Sequence, residues 1–341
     1  MIVILVFSLA VPASAAELTA PTVPRSGAEV MPEKTDSFGE GLVQLLEDAL
    51  RKLRPDLREA SKVSLGIIAA VMMVSLLQSF SGSVKTAAEF AGTTAIAAGL
   101  LLSANSLIRL GTETITEISE YGKLLLPVMT AAMAAQGGVT ASAALYSGTA
   151  VFDAALSSLI SRLLAPMVYL FLSLAVANSA VGEDLLKNMR DFAKGLISWC
   201  LKTTLTVFTT YMAITGVVSG TTDAAALKAT KVTISSVVPV VGGILSDASE
   251  AVLVSAGLMK NAAGIYGILA ILAVCLRPFL KIGVHYLILK LTAALCALFG
   301  TKRLTELVGD FSTAMGLLLA MTGSECLLLL ISTVCFLKGV G

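Results

Sequence analysis

Asp247 and Glu250 stand three residues apart, so a helix would place them on one face, with Lys260 and Asn261 about three turns further on. Ionisable groups inside a membrane segment point to function, because burying them is costly. The competing reading makes 246–250, with Ser246 at its start, a short Ser-rich polar loop at the surface. Arg277, Lys281 and His285 form a second set, spaced i, i+4, i+8 on one helix face. They could line an aqueous path or bind lipid phosphates. Alternatively, Arg277 and Lys281 lie between two spans and snorkel to the headgroups. His285 by itself is no evidence of a proton relay. Lys290 lies off that face inside an apolar run and needs a partner.

The segments that hold these residues are marked by proline and glycine. Of nine prolines, five lie in the first 55 residues, leaving Pro127, Pro166, Pro239 and Pro278 for the rest. The pairs 127/166 and 239/278 are each 39 apart, with a common offset of 112. Their neighbours align as well: Leu125-Leu126-Pro127-Val128 with Val237-Val238-Pro239-Val240, and Leu164-Ala165-Pro166 with Leu276-Arg277-Pro278. Asp191-Phe192 and Asp310-Phe311 extend the match, seven residues out of step. A diverged duplication is expected, with repeats at about 84–195 and 196–337 and a functional region at their interface. Each first proline precedes an interruption: Gly137-Gly138 after Pro127, and Gly242-Gly243 after Pro239. Such breaks predict discontinuous or re-entrant helices, which survive at membrane depth only inside protein or around water. The seam therefore comprises Pro127, Gly137, Gly138, Pro239, Gly242, Gly243, Ser246, Asp247, Glu250, Lys260 and Asn261.

Composition supplies the setting. Of 341 residues 56% are apolar and 14% charged, and mean hydropathy is +0.88. Soluble domains are about 25% charged, and one core of this size could not hide so much apolar surface. An all-α polytopic membrane protein follows. Plausible spans are 63–80, 91–108, 139–160, 163–181, 196–218, 262–280, 282–300 and 311–337, of which about six to eight are expected to be true. In 91–108, Ala91, Ala95, Gly99 and Ser103 fall four apart, the spacing that lets helices approach closely. A net charge of +1 offers no field for nucleic acid. Cys200, Cys275, Cys296, Cys326 and Cys335 lack C-x-x-C spacing and read as small hydrophobes. No metalloprotease, serine-hydrolase or phosphate-loop motif occurs, so neither catalysis nor a cofactor is expected.

The N-terminal region reads differently. Residues 1–16 resemble a signal peptide: a short apolar run ends in Ala13-Ser14-Ala15, although no Lys or Arg precedes it, as if the true start lay further upstream. Residues 17–62 form an extracytoplasmic leader, followed by a polytopic domain over 63–341. Within the leader, Leu42, Leu45, Leu46, Leu50, Leu53 and Leu57 recur at helical spacing, and Pro55 should kink or end the helix. Arg51, Lys52, Arg54, Arg58 and Lys62 would favour a cytoplasmic location, opposite to the signal peptide, and leave orientation open.

The run KVTISSVVPVVGGILSDASEAVLVSAGLMKNAAG, from Lys231 to Gly264, is similar to the signature region of the stage III sporulation protein AE family. The signal-like start, the amphipathic segment and the multi-span remainder extend the resemblance over most of the chain; the missing basic n-region departs from it. The resemblance implies a subunit of the channel between mother cell and forespore, in the mother-cell membrane around the forespore and needed for late forespore development. It implies partners too: a cytoplasmic ATPase, ring-forming membrane proteins and a forespore-side channel protein, besides membrane lipids and further copies of the chain. The family has no agreed catalytic residues, and none is carried over. Two other classes stay open: a stand-alone secondary transporter for a small solute, and a scaffold whose segment 38–62 docks neighbouring subunits.

Overall fold

The computed structural model describes residues 21–31, 38–77, 83–135, 139–181, 184–214, 262–299 and 302–338. The signal-like segment 1–16 lies outside them. Among the described residues the regular structure is helical. A short α1 (Arg25–Ala28) is followed by α2 (Phe38–Lys52), which buries Phe38, Leu45 and Ala49 on one face. The helix stops one residue later at Leu53, and α3 (Arg54–Leu77) begins with Pro55 in its first turn. There the missing N–H costs no helical bond. The amphipathic end of the leader and the first apolar span are therefore parts of one helix, α3.

Long helices make up the rest. They are α4 (Ser83–Ala135), α5 (Val139–Leu159), α6 (Ala165–Val181), α7 (Asp184–Ile214), α8 (Ala262–Phe299) and α9 (Lys302–Lys338). Between α5 and α6, Ile160–Leu164 forms a π-helical turn, with the Ala165 N–H bonded to the Ile160 carbonyl. The proline explains the widening. Pro166 has no N–H to give the Arg162 carbonyl, so the turn re-forms with a longer ring.

Five helical tracks are long and apolar enough to cross a membrane, among the described residues: Arg54–Leu77, Phe90–Ala134, Ser142–Val181, Ile265–Leu298 and Lys302–Leu337. The expected spans 262–280 and 282–300 fall in one continuous helix, α8, and the charges near their junction, Arg277 and Lys281, pair with Glu29 and Asp56. The segments 139–160 and 163–181 likewise join in one helical track. Segment 196–218 falls largely in α7, which is not among the five and carries Lys187, Arg190, Asp191, Lys194 and Lys202. Nor does α4 break at Pro127; it runs on to Ala135, beside the Gln136-Gly137-Gly138 run.

The centre of the domain is α9. Its apolar window is 94% buried, against 22% for α3, and α4, α5, α6, α7 and α8 all pack on it. Leu65, Met73, Leu76, Leu102 and Leu298 point outward, as lipid-facing side chains do. The small-residue row of α4 also proves to be an outer face: Ala91, Ala95 and Gly99 are exposed, and nothing lies within 4 Å of where a Gly99 Cβ would stand. The buried face of α4 instead presents Ile96, Ala97, Leu100, Ala104 and Leu107, because their apolar bulk fills the space against neighbouring helices.

Candidate functional site

Of the residues singled out in the sequence, Gly137, Gly138, Pro239, Gly242, Gly243, Ser246, Asp247, Glu250, Lys260 and Asn261 lie outside the described residues. Pro127 sits on the exposed side of α4. Arg277, Lys281 and His285 do share one stretch of α8, and the leader covers it. Arg277 Nη1 lies 2.7 Å from Glu29 Oε2, and Lys281 Nζ lies 2.9 Å from Asp56 Oδ1. Lys52 also approaches Glu29, at 3.5 Å. His285 is buried, its Nδ1 2.9 Å from the Lys281 carbonyl oxygen. Lys290 finds its partner in Tyr286, donating to the hydroxyl at 3.2 Å. Arg277 and Lys281 are thus matched by leader carboxylates, which tie the leader to α8.

Close packing supports that latch. A Cβ on Gly27 would stand 2.8 Å from Val274 Cγ2 and 2.9 Å from the Val274 backbone nitrogen, so only glycine lets α1 lie on α8. The Ser26 hydroxyl donates to Glu117 of α4, and the Ser64 and Thr292 hydroxyls pair between α3 and α8. Two strongly apolar helices are thereby joined to the leader through hydrogen bonds and ion pairs.

Deeper in the domain, α4, α5 and α9 meet along a polar seam. Asp153 of α5 is 2% exposed and Glu325 of α9 is fully buried. The Ser119 hydroxyl of α4 donates to Asp153 Oδ2 at 2.7 Å. The Asp153 and Glu325 carboxyls are neighbours, and Lys123 is the cation whose charge acts on both. Asp153 Oδ1 and both Glu325 oxygens have no hydrogen-bond donor. Four residues before Asp153, one helical turn, Thr149 donates to Ser332 at 3.0 Å, both side chains being fully buried. Gly122 makes the junction tight, since a Cβ there would lie 3.0 Å from Leu329 Cδ1 and 3.7 Å from Asp153 Oδ1.

Most buried polar groups in proteins are paired, and burying an unpaired one costs several kcal/mol, roughly 2–7. Three unpartnered carboxyl oxygens at the axis of an apolar domain thus identify the seam as its chemically distinctive site. The sequence did carry a signal for it: Asp153 in AVFDAALSS and Glu325 in MTGSECLLLL each interrupt an apolar run. Proline and glycine punctuation marks other positions of the chain. That the two acids meet, 172 residues apart, is visible only in the packing.

A second buried ion cluster joins α7 to α9, where Arg190 donates to Asp310 Oδ2 at 2.6 Å and to Asp191 Oδ1 at 3.1 Å. Among the described residues no three His, Cys, Asp or Glu side chains are placed to hold a metal ion.

Long apolar helices around an almost wholly buried central one, with polar groups turned inward, define an all-α polytopic membrane protein. The chain belongs to the Stage III sporulation protein AE family, whose family model matches residues 32–339. It is 24% identical over 255 residues to "Stage III sporulation protein AE" of Bacillus subtilis (strain 168). That match covers 74% of this chain and 56% of the relative, so the chain spans just over half the relative's length. No solved structure matches.

Proposed function

We propose that this chain is a membrane subunit of the secretion-like channel joining mother cell and forespore, located in the mother-cell membrane and needed for late forespore development. The observation that carries the reading is the family match over 32–339, which takes in every long helix described. The chain carries out no catalysis on this reading. An ATPase subunit supplies the energy, and ring-forming membrane proteins and a forespore-side protein complete the conduit. The proline-marked halves, about 84–195 and 196–337, are diverged copies flanking the seam. A clean deletion in the native host should arrest spores after engulfment, and the tagged protein should co-purify with the ATPase and ring components. Normal sporulation in the deletion strain would sink the proposal.

One observation favours a second reading, a stand-alone secondary transporter. Ionisable groups buried inside membrane helices are the usual site of ion and substrate coupling in such proteins, and the Asp153–Glu325 seam is such a place. Purified protein in liposomes should then move a small solute without other subunits. Absence of flux, together with a partner requirement in cells, would exclude it.

A further inference from the structure

Asp153 and Glu325 pose a problem of charge that the fold must answer. Their carboxyls are neighbours, both buried, and neither Glu325 oxygen has a hydrogen-bond donor. Two anions in contact away from water repel strongly, and a proton taken up by one of them removes the repulsion. That proton also changes the hydrogen-bond count, because a protonated carboxyl donates where two carboxylates can only accept. The other groups facing the pair do not supply a donor. On α4, the Ser119 hydroxyl is already committed to Asp153 Oδ2, and Lys123 is exposed. On α9 the next residue, Cys326, turns to Cys275 of α8.

A larger cation does not fit. Metal ions such as calcium or magnesium take about six to eight oxygen ligands, whereas the pair and Ser119 offer few. The room is also gone, since a Cβ on Gly122 would already press on Leu329 and approach Asp153.

We propose that Asp153 and Glu325 form a proton-binding site, holding one proton between them at neutral pH in the heart of the membrane domain. The site lies where α5 meets the central helix α9, so losing the proton sets two anions against each other across that contact. Packing of α9 thereby depends on proton occupancy. The inference rests on this packing and is independent of both readings of the protein's role.

Infrared spectroscopy on the full-length protein in lipid nanodiscs tests it directly. At neutral pH the wild type should show the carbonyl stretch of a protonated carboxylic acid, shifted in heavy water. The double variant Asp153→Asn, Glu325→Gln should lose that band, and Asp310→Asn should keep it. Ser119→Ala is milder and folds if the double variant does not; it should move the band by removing the hydrogen bond to Asp153. A wild type without the band would overturn the proposal. So would a band that survives the double substitution, or one that Ser119→Ala leaves in place.

Discussion

The Arg190 guanidinium reaches from α7 to α9 and donates to Asp310 at 2.6 Å, with both side chains largely withdrawn from solvent. The same group also holds Asp191 Oδ1, through Nε at 3.2 Å and Nη2 at 3.1 Å. One fork thus serves two carboxylates on different helices. Removing one partner of a buried pair leaves an uncompensated charge and costs about 3–5 kcal/mol. Arg190→Leu should lower the apparent melting temperature of the purified protein markedly. Arg190→Lys should recover only part of the loss, because an ammonium cannot reproduce the planar fork. Equal stability of the Leu and Lys variants would contradict this account.

Gly148 of α5 faces the Tyr211 ring of α7, and a Cβ there would run into the ring at Tyr211 Cε1. Tyr211 is held in place by donating its hydroxyl to the Ala144 carbonyl at 3.0 Å and by packing on Phe152. Gly148→Ala should therefore destabilise by about 1–3 kcal/mol, the usual range for overpacking. Adding Tyr211→Ala should make the combined loss smaller than the sum of the single losses. Strict additivity in a thermal double-mutant cycle would show that the two residues do not meet.

Thr149 and Ser332 test the seam by subtraction. Their hydroxyls satisfy one another in an otherwise apolar contact between α5 and α9. Ser332→Ala alone should cost about 1–3 kcal/mol, as the Thr149 hydroxyl loses its acceptor. Thr149→Val together with Ser332→Ala should cost less than Ser332→Ala alone, since no buried polar group is then left unpaired. Chemical denaturation in mild detergent would show the order.

The leader latch makes a structural prediction. Gly27→Leu forces α1 away from Val274, where the backbone itself stands in the way. Hydrogen exchange over 21–31 should speed up strongly, while α9 keeps its protection. Lys281→Glu should weaken docking at Asp56, and Lys281→Glu with Asp56→Lys should restore it in part. Exposed ion pairs such as Arg277–Glu29 are worth only about 0–1 kcal/mol, so Arg277→Ala alone should have a small effect. Unchanged exchange in Gly27→Leu would show that the leader is held by other contacts.

Helical class and membrane habitat were legible in the chain because both follow from local quantities. Apolar content, helix-length runs and the stop at Pro55 depend only on near neighbours in sequence. The run from Lys231 to Gly264 was enough to indicate the family, although 231–261 lie outside the described residues. Partnership, by contrast, depends on distant chain segments. The spacing of Arg277, Lys281 and His285 placed them on one face correctly, but only the tertiary structure decided that Glu29 and Asp56 would meet that face. The small-residue row of α4 had the right spacing for close packing, yet it faces outward, since period alone does not say which side of a helix meets another. Phe192 and Phe311 share a motif, and burial separates them: one is 71% exposed on α7 and the other 1% exposed on α9. Asp153 and Glu325 mark the boundary most clearly. Each could be seen in sequence as an acid in an apolar run, but the energy of an ion depends on what surrounds it, and those surroundings form only when α4, α5 and α9 pack.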